Sequence, residues 1–333
     1  MLMPDHRQGA VSGLWSRGRR QAAERSSLLR GRWDDIPANV RGIVWILLSG
    51  IFFTVMSALI KVLGTRIPIL EILFVRQAVL SLFVAPTVLR SPIRAFRTPY
   101  PGLHALRVTL SVIAMGAGFA AIVHMPLADA VAIGFSKSFF VTVFAILILG
   151  ETVTRQRWFA TVLGFIGVLV MMRPSTEGLD VYALLSLISA AAAGLIMVII
   201  RRLAQKEQLT TVMAYQSIGV GLVFLVPAVL NWVPPTGSEW LLMVAVGLLS
   251  GAGQSLNFAG FRVGEAAAVA SADYLRLVYA SGLGLWLFAE GPSPATLFGA
   301  AIIVGASVYS IVYERSRAVR RAPVTGPAGA PAE

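Results

Sequence analysis

The chain contains no cysteine. That removes thiol catalysis, disulfides and thiolate metal sites. Its three histidines (His6, His104 and His124) are scattered singly, so a histidine metal cluster is not expected. No HExxH, GxSxG or GxxxxGK[ST] motif is present, which leaves metalloprotease, serine-hydrolase and ATP-driven chemistry without a foothold. Charge itself is scarce, at 13% of residues against 56% apolar, far from the balance of a soluble domain.

The charge that remains is lopsided, with 28 Lys and Arg against 16 Asp and Glu and a net charge of +12. Such an excess suggests nucleic acid until its positions are read. Arg7, Arg17, Arg19, Arg20, Arg25, Arg30, Arg32 and Arg41 precede Gly42, and Arg315, Arg317, Arg320 and Arg321 lie near the other end. Basic flanks of this kind hold the ends of a membrane protein on the cytoplasmic side, so no nucleic-acid partner is expected.

Between the flanks, apolar runs recur nearly end to end, each long enough for a helix to cross a bilayer. Ten spans are expected at about 41–63, 68–89, 104–124, 127–149, 156–172, 181–200, 211–230, 239–260, 266–288 and 295–313. Residues 1–40 read as a basic cytoplasmic tail and 314–333 as a second one. Arg90, Arg94, Arg97, Arg155, Arg157, Arg201, Arg202, Lys206 and Arg262 follow the even-numbered spans; the opposite junctions carry Lys61, Arg66 and Arg173. Both termini are therefore expected in the cytoplasm.

The stretch 127–151, LADAVAIGFSKSFFVTVFAILILGE, carries Lys137 in mid-span. A cation at that depth costs on the order of 3 kcal/mol, which singles it out for a use. A shift of 139 residues brings 264–290, GEAAAVASADYLRLVYASGLGLWLFAE, into register. Lys137 then falls on Arg276, Phe135 on Tyr274, Phe119 on Phe258 and Glu151 on Glu290. Lys61 similarly approximates Arg201, and Ala85-Pro86 approximates Val226-Pro227. Two repeats, 41–173 and 181–313, follow, each of five spans. Because five is odd, the second enters from the opposite face. The fold class expected is an all-α polytopic membrane protein of ten transmembrane helices in two inverted repeats, with a site near the midplane.

Several short motifs carry a family resemblance: Phe74-Val75-Arg76, Pro126-Leu127-Ala128-Asp129-Ala130, Leu149-Gly150-Glu151 and Gly164-Phe165-Ile166-Gly167. Gly264-Glu265-Ala266, Phe288-Ala289-Glu290 and Gly299 with Gly305 echo them. Over about 42–314 the chain resembles the EamA-type transporters of the drug/metabolite transporter superfamily. The resemblance implies a bacterial inner-membrane carrier and makes Arg76 the counterpart of the family's span-2 arginine. It departs at Ser136-Lys137-Ser138, where many relatives carry a mid-span proline.

Four ionisable residues lie deep in the expected spans: Arg76, Lys137, Asp273 and Arg276. Asp273 and Arg276 stand three apart and are expected either to neutralise each other or to bind substrate. Lys137 has no carboxylate one turn away, so it needs a partner on another span, a cavity or a ligand. Arg76 has Glu71 as a possible partner. Tyr274, Phe135 and Tyr215 supply aromatic walls or plain packing, and Gln216, Gln254 and Asn257 are buried amides that serve as interhelical ties or ligand contacts. The GxxxG of Gly247 and Gly251 suggests close helix packing and leaves a homodimer possible. Glu151 and Glu290 are expected to fix helix ends or meet loop arginines.

The substrate-binding set expected is Arg76, Lys137, Asp273, Tyr274, Arg276, Gln216 and Asn257, with no cofactor and no metal. The four deep charges sum to +2, which favours a small metabolite bearing carboxylate or phosphate, such as an amino acid. A vitamin or nucleoside-like cofactor is the alternative cargo. A membrane scaffold or an intramembrane enzyme accounts less well for paired deep cations.

Overall fold

The computed structural model describes residues 36–149, 155–172, 180–204, 207, 209–263 and 272–321. Residues 1–35 of the expected tail 1–40, together with Glu151 and Arg173, lie outside these residues. Among those described, the chain is helical and forms no strand. In hydrocarbon a helix satisfies its own backbone, which is why long apolar runs take this form.

The first repeat holds α1 (Ala38–Leu63), α2 (Ile69–Arg90), the short α3 (Pro92–Phe96), α4 (Pro101–His124), α5 (Leu127–Gly134), α6 (Lys137–Leu149) and α7 (Arg155–Met172). The second holds α8 (Val181–Ala204), α9 (Leu209–Leu230), α10 (Gly237–Val263), a 3-10 turn (Asp273–Leu275), α11 (Arg276–Phe288) and α12 (Pro294–Arg321). Prolines set several starts, either just before the first turn (Pro37, Pro68, Pro126) or within it (Pro92, Pro101). Among the described residues, seven paths are long and apolar enough to cross a membrane, with α5 and α6 together making one of them. Three shorter apolar helices, Thr161–Met172, Arg276–Phe288 and Pro294–Ala306, occupy the places of expected spans 5, 9 and 10. Large apolar side chains cover the outside; Trp286 is 80% exposed and Leu230 77%, a surface that lipid solvates and water does not.

The repeats interlock. α1 packs on α10 and, in the same relation, α4 packs on α8; α2 meets its counterpart α9, and α7 meets its counterpart α12. Hydrogen bonds repeat the pattern. Ser49 donates to the Gly253 carbonyl at 2.8 Å, and Ser189 donates to the Ala114 carbonyl at 2.7 Å. Ala114 and Gly253 stand 139 apart and Ser49 and Ser189 140 apart, so the two contacts repeat to within one residue of the register read from the sequence. Glycine permits the close approaches: a Cβ on Gly167 would come within 2.7 Å of the Gly299 carbonyl oxygen, where α7 crosses α12. Gly247 and Gly251 face Val79, Leu80 and Phe83 of α2, so this GxxxG is filled within the chain.

Candidate functional site

The fourth path is interrupted at mid-length, and a 3-10 turn falls within the expected ninth span. After α5 the backbone tightens to i→i−3 bonding, with Phe135 N–H on the Ala132 carbonyl at 3.1 Å and Ser136 N–H on that of Ile133 at 2.9 Å. In the second repeat the 3-10 turn Asp273–Leu275 immediately precedes α11. The 139-residue shift superposes the two breaks. Lys137 opens α6 and Arg276 opens α11, so both cations stand at the positive ends of helix dipoles. Mid-path 3-10 segments mark hinges or strain.

The charges pair across the repeats. Lys137 Nζ donates to Asp273 Oδ2 at 3.2 Å. Asp273 thus takes the cation of the other repeat, and no ion pair between Asp273 and Arg276 forms among the described residues. Arg276 stays within electrostatic reach of Asp273, while its guanidinium carbon lies 5.5 Å from the Phe53 ring centroid of α1, a cation–π contact, and its Nε has no hydrogen-bond partner among the described residues. Ring and break come from opposite repeats.

Arg76 is buried on α2 among neutral acceptors. It donates to Ser250 Oγ at 2.5 Å, Gln77 Oε1 at 3.3 Å and Met115 Sδ at 3.6 Å, and lies 5.9 Å from the Phe119 ring centroid. Glu71 does not meet it; that carboxylate accepts the Val233 N–H at 3.0 Å. Gln216 is an interhelical tie: its Oε1 accepts from Ser111 at 3.0 Å, and its carbonyl accepts from Gln77 Nε2 at 3.1 Å. Ser111 and Ser250 are equivalent in the repeat, as are Gln77 and Gln216, so one polar layer is built twice. Only the first copy contains an arginine, because Tyr215 stands at the place of Arg76. Asn257 is half-buried on α10, one turn beyond the Gly253 carbonyl. Tyr274 lies in the 3-10 turn, and its side chain is outside those described. Phe135 is buried at the first break. The structure therefore brings Lys137, Asp273 and Arg276 to the two breaks, and places Arg76 and Gln216 in the neighbouring polar layer.

Two further polar groups escaped the sequence reading. Lys61, buried at the end of α1, meets Glu290 Oε2 at 2.5 Å and the Met125 carbonyl at 2.8 Å. Glu290, expected to fix a helix end or meet a loop arginine, meets this lysine instead of an arginine. On α4, His104 is fully buried and stacks on Tyr215 at 4.4 Å, while Arg107 donates to the Val212 carbonyl at 2.8 Å. Their equivalents in the second repeat are Met243 and Val246, both fully buried. Laying the two repeats side by side exposes this asymmetry from the sequence itself.

Fold and site together define a multi-pass membrane protein made of two interlocked repeats with cations at paired helix breaks. The profile of the EamA-like transporter family matches residues 40–173 and again 181–312, and the chain belongs to that family. It is accordingly a transporter of the drug/metabolite superfamily and not an enzyme. It is 29% identical to an S-adenosylmethionine uptake transporter of Rickettsia prowazekii (strain Madrid E), over 85% of this chain and 96% of that protein. It is 32% identical to the pseudopaline exporter CntI of Pseudomonas aeruginosa (strain UCBPP-PA14), over 80% and 94%. A riboflavin transporter of Brucella anthropi is 32% identical, over 74% and 89%.

Proposed function

We propose that this chain is a secondary transporter that moves a small anionic metabolite, one bearing carboxylate or phosphate, across a bacterial inner membrane by alternating access. In this reading it crosses the bilayer ten times as two inverted repeats, with both termini in the cytoplasm. One observation carries the cargo assignment: Arg276 opens α11 over the Phe53 ring and, among the described residues, has no bonded carboxylate, while Asp273 is bonded by Lys137. An anionic guest supplies Arg276 with a charged hydrogen-bond acceptor. Arg76, Gln216, Asn257 and Tyr274 complete the proposed site.

The second reading, import of a vitamin or nucleoside-like cofactor, draws on the relatives named for S-adenosylmethionine and riboflavin. Thermal shift of the purified protein against carboxylates, phosphates, nucleosides and flavins separates the two, because a ligand of the folded state raises its apparent stability. Hits then go to counterflow in proteoliposomes. Exchange of labelled anion confirms a carrier; a response to uncharged nucleosides or flavins alone favours the second reading.

A further inference from the structure

Lys61 is held more tightly than a helix end requires. Its ammonium is buried and touches three groups from two places: Glu290 Oε2 at 2.5 Å, the Met125 carbonyl at 2.8 Å and, 5.0 Å away, the Phe288 ring. Met125 sits at the junction of α4 and α5, just before α5 begins. Phe288 and Glu290 sit at the end of α11. One ammonium thus joins the same ends of α5 and α11, which also pack on each other.

The other ends of these two rods carry the paired cations. α5 runs from Leu127 to Gly134 and leads into the break before Lys137; α11 starts at Arg276 and ends at Phe288. A helix is a stiff rod, so a shift at either break reaches the far end of the rod as displacement. The chain is turned to reach Lys61. Ala289 adopts φ 54°, the only left-handed non-glycine residue among those described, where glycine is the usual occupant. The Glu290 N–H closes that turn on the Gly284 carbonyl at 3.0 Å, and a Cβ on Gly284 would come within 2.9 Å of the Glu290 carbonyl oxygen. A strained turn persists where its surroundings over-determine it, and such turns gather at switching sites.

We propose that Lys61 is a positioning residue of the transport cycle, a latch that clamps the outer ends of α5 and α11 and whose release opens the outer face. The assignment rests on the topology proposed above, which puts this end outside. The groups that hold the clamp are Glu290, Met125 and Phe288. The nearby carboxylate of Asp129 is engaged by the Ser293 N–H at 3.3 Å.

The absence of cysteine makes the test direct. Ala280, fully buried on α11 between the latch and the break, is replaced by Cys in the full-length chain in proteoliposomes. A membrane-impermeant maleimide is then applied from one face at a time. Lys61→Met and Glu290→Gln each raise labelling from the outside roughly tenfold, as a shift of a two-state population does, and leave labelling from the inside unchanged or lower. Lys61→Arg and the exchange Lys61→Glu with Glu290→Lys restore the low rate. Unchanged labelling in both single variants overturns the latch. So does an equal rise from both faces, which marks a bundle merely loosened; the charge exchange guards against a lone variant that fails to fold. A rise confined to the arginine-rich face keeps the latch and overturns only the topology. Failure of every anion in counterflow, with the labelling pattern intact, overturns only the cargo assignment.

Discussion

Lys137 and Asp273 meet across the two repeats at 3.2 Å, although 136 positions separate them in the chain. Their side chains are 37% and 21% exposed, so the pair is neither a surface bridge nor a dry one. Its strength therefore falls between the two limits. Removing one partner leaves the other charged at membrane depth, whereas removing both does not.

Asp273→Asn alone should lower stability by about 1–3 kcal/mol, because it strands Lys137. The double change with Lys137→Met should recover part of that loss. Thermal unfolding in detergent checks the order of the three variants. A double variant as unstable as the sum of the two singles would show that the bridge contributes nothing.

The crossing of α7 and α12 depends on backbone contact. Gly299→Ala places a methyl group against the Gly167 carbonyl and should cost about 1–3 kcal/mol through overpacking. Gly116→Ala, where a Cβ meets nothing within 4 Å, should be neutral or slightly stabilising. The melting temperatures of the two variants, taken side by side, decide it.

His104 and Arg107 have no acidic partner bonded to them among the described residues, and both ring nitrogens of His104 lack hydrogen bonds. The second repeat packs Met243 and Val246 at the same places. Transplanting that pair, as His104→Met with Arg107→Val, should therefore keep or raise the melting temperature. A large loss would mean that the first repeat requires the polar pair for folding.

Topology is read by reporters. A fusion after Arg173 should report the outside and one after Lys206 the cytoplasm. The opposite result at either position would break the inverted relation of the repeats.

Much of the fold was legible because membrane burial writes long apolar runs and charge asymmetry directly into sequence. The repeat was legible for the same reason: Lys137 and Arg276 are conspicuous in apolar surroundings, and the shift that aligns them also aligns Ser111 with Ser250 and Gln77 with Gln216. The breaks were not legible. Residues 127–148 read as one apolar path, and the tightening at Phe135–Ser136 changes hydrogen bonding without changing hydropathy. Partner choice was equally hidden. Spacing along a helix suggested Asp273 with Arg276; the two stay in electrostatic reach, but the bonded partner of Asp273, Lys137, and the ring beside Arg276, Phe53, come from the other repeat. Lys61 was read as one of few charges at its junction, and nothing local announces that it reaches Glu290, 229 positions away.

The most direct test of an anion carried at the paired breaks is counterflow by Arg276→Leu and Lys137→Met proteins in proteoliposomes, with wild-type protein and an anionic metabolite selected by thermal shift. Wild-type protein should accumulate the label, and Arg276→Leu should lose at least about tenfold, the scale of a lost charged hydrogen bond. Lys137→Met should be inactive yet present in the membrane, and Lys137→Arg partly active. Wild-type exchange rates in both Arg276→Leu and Lys137→Met would contradict the account, because the cations at the breaks would then do nothing for the cargo.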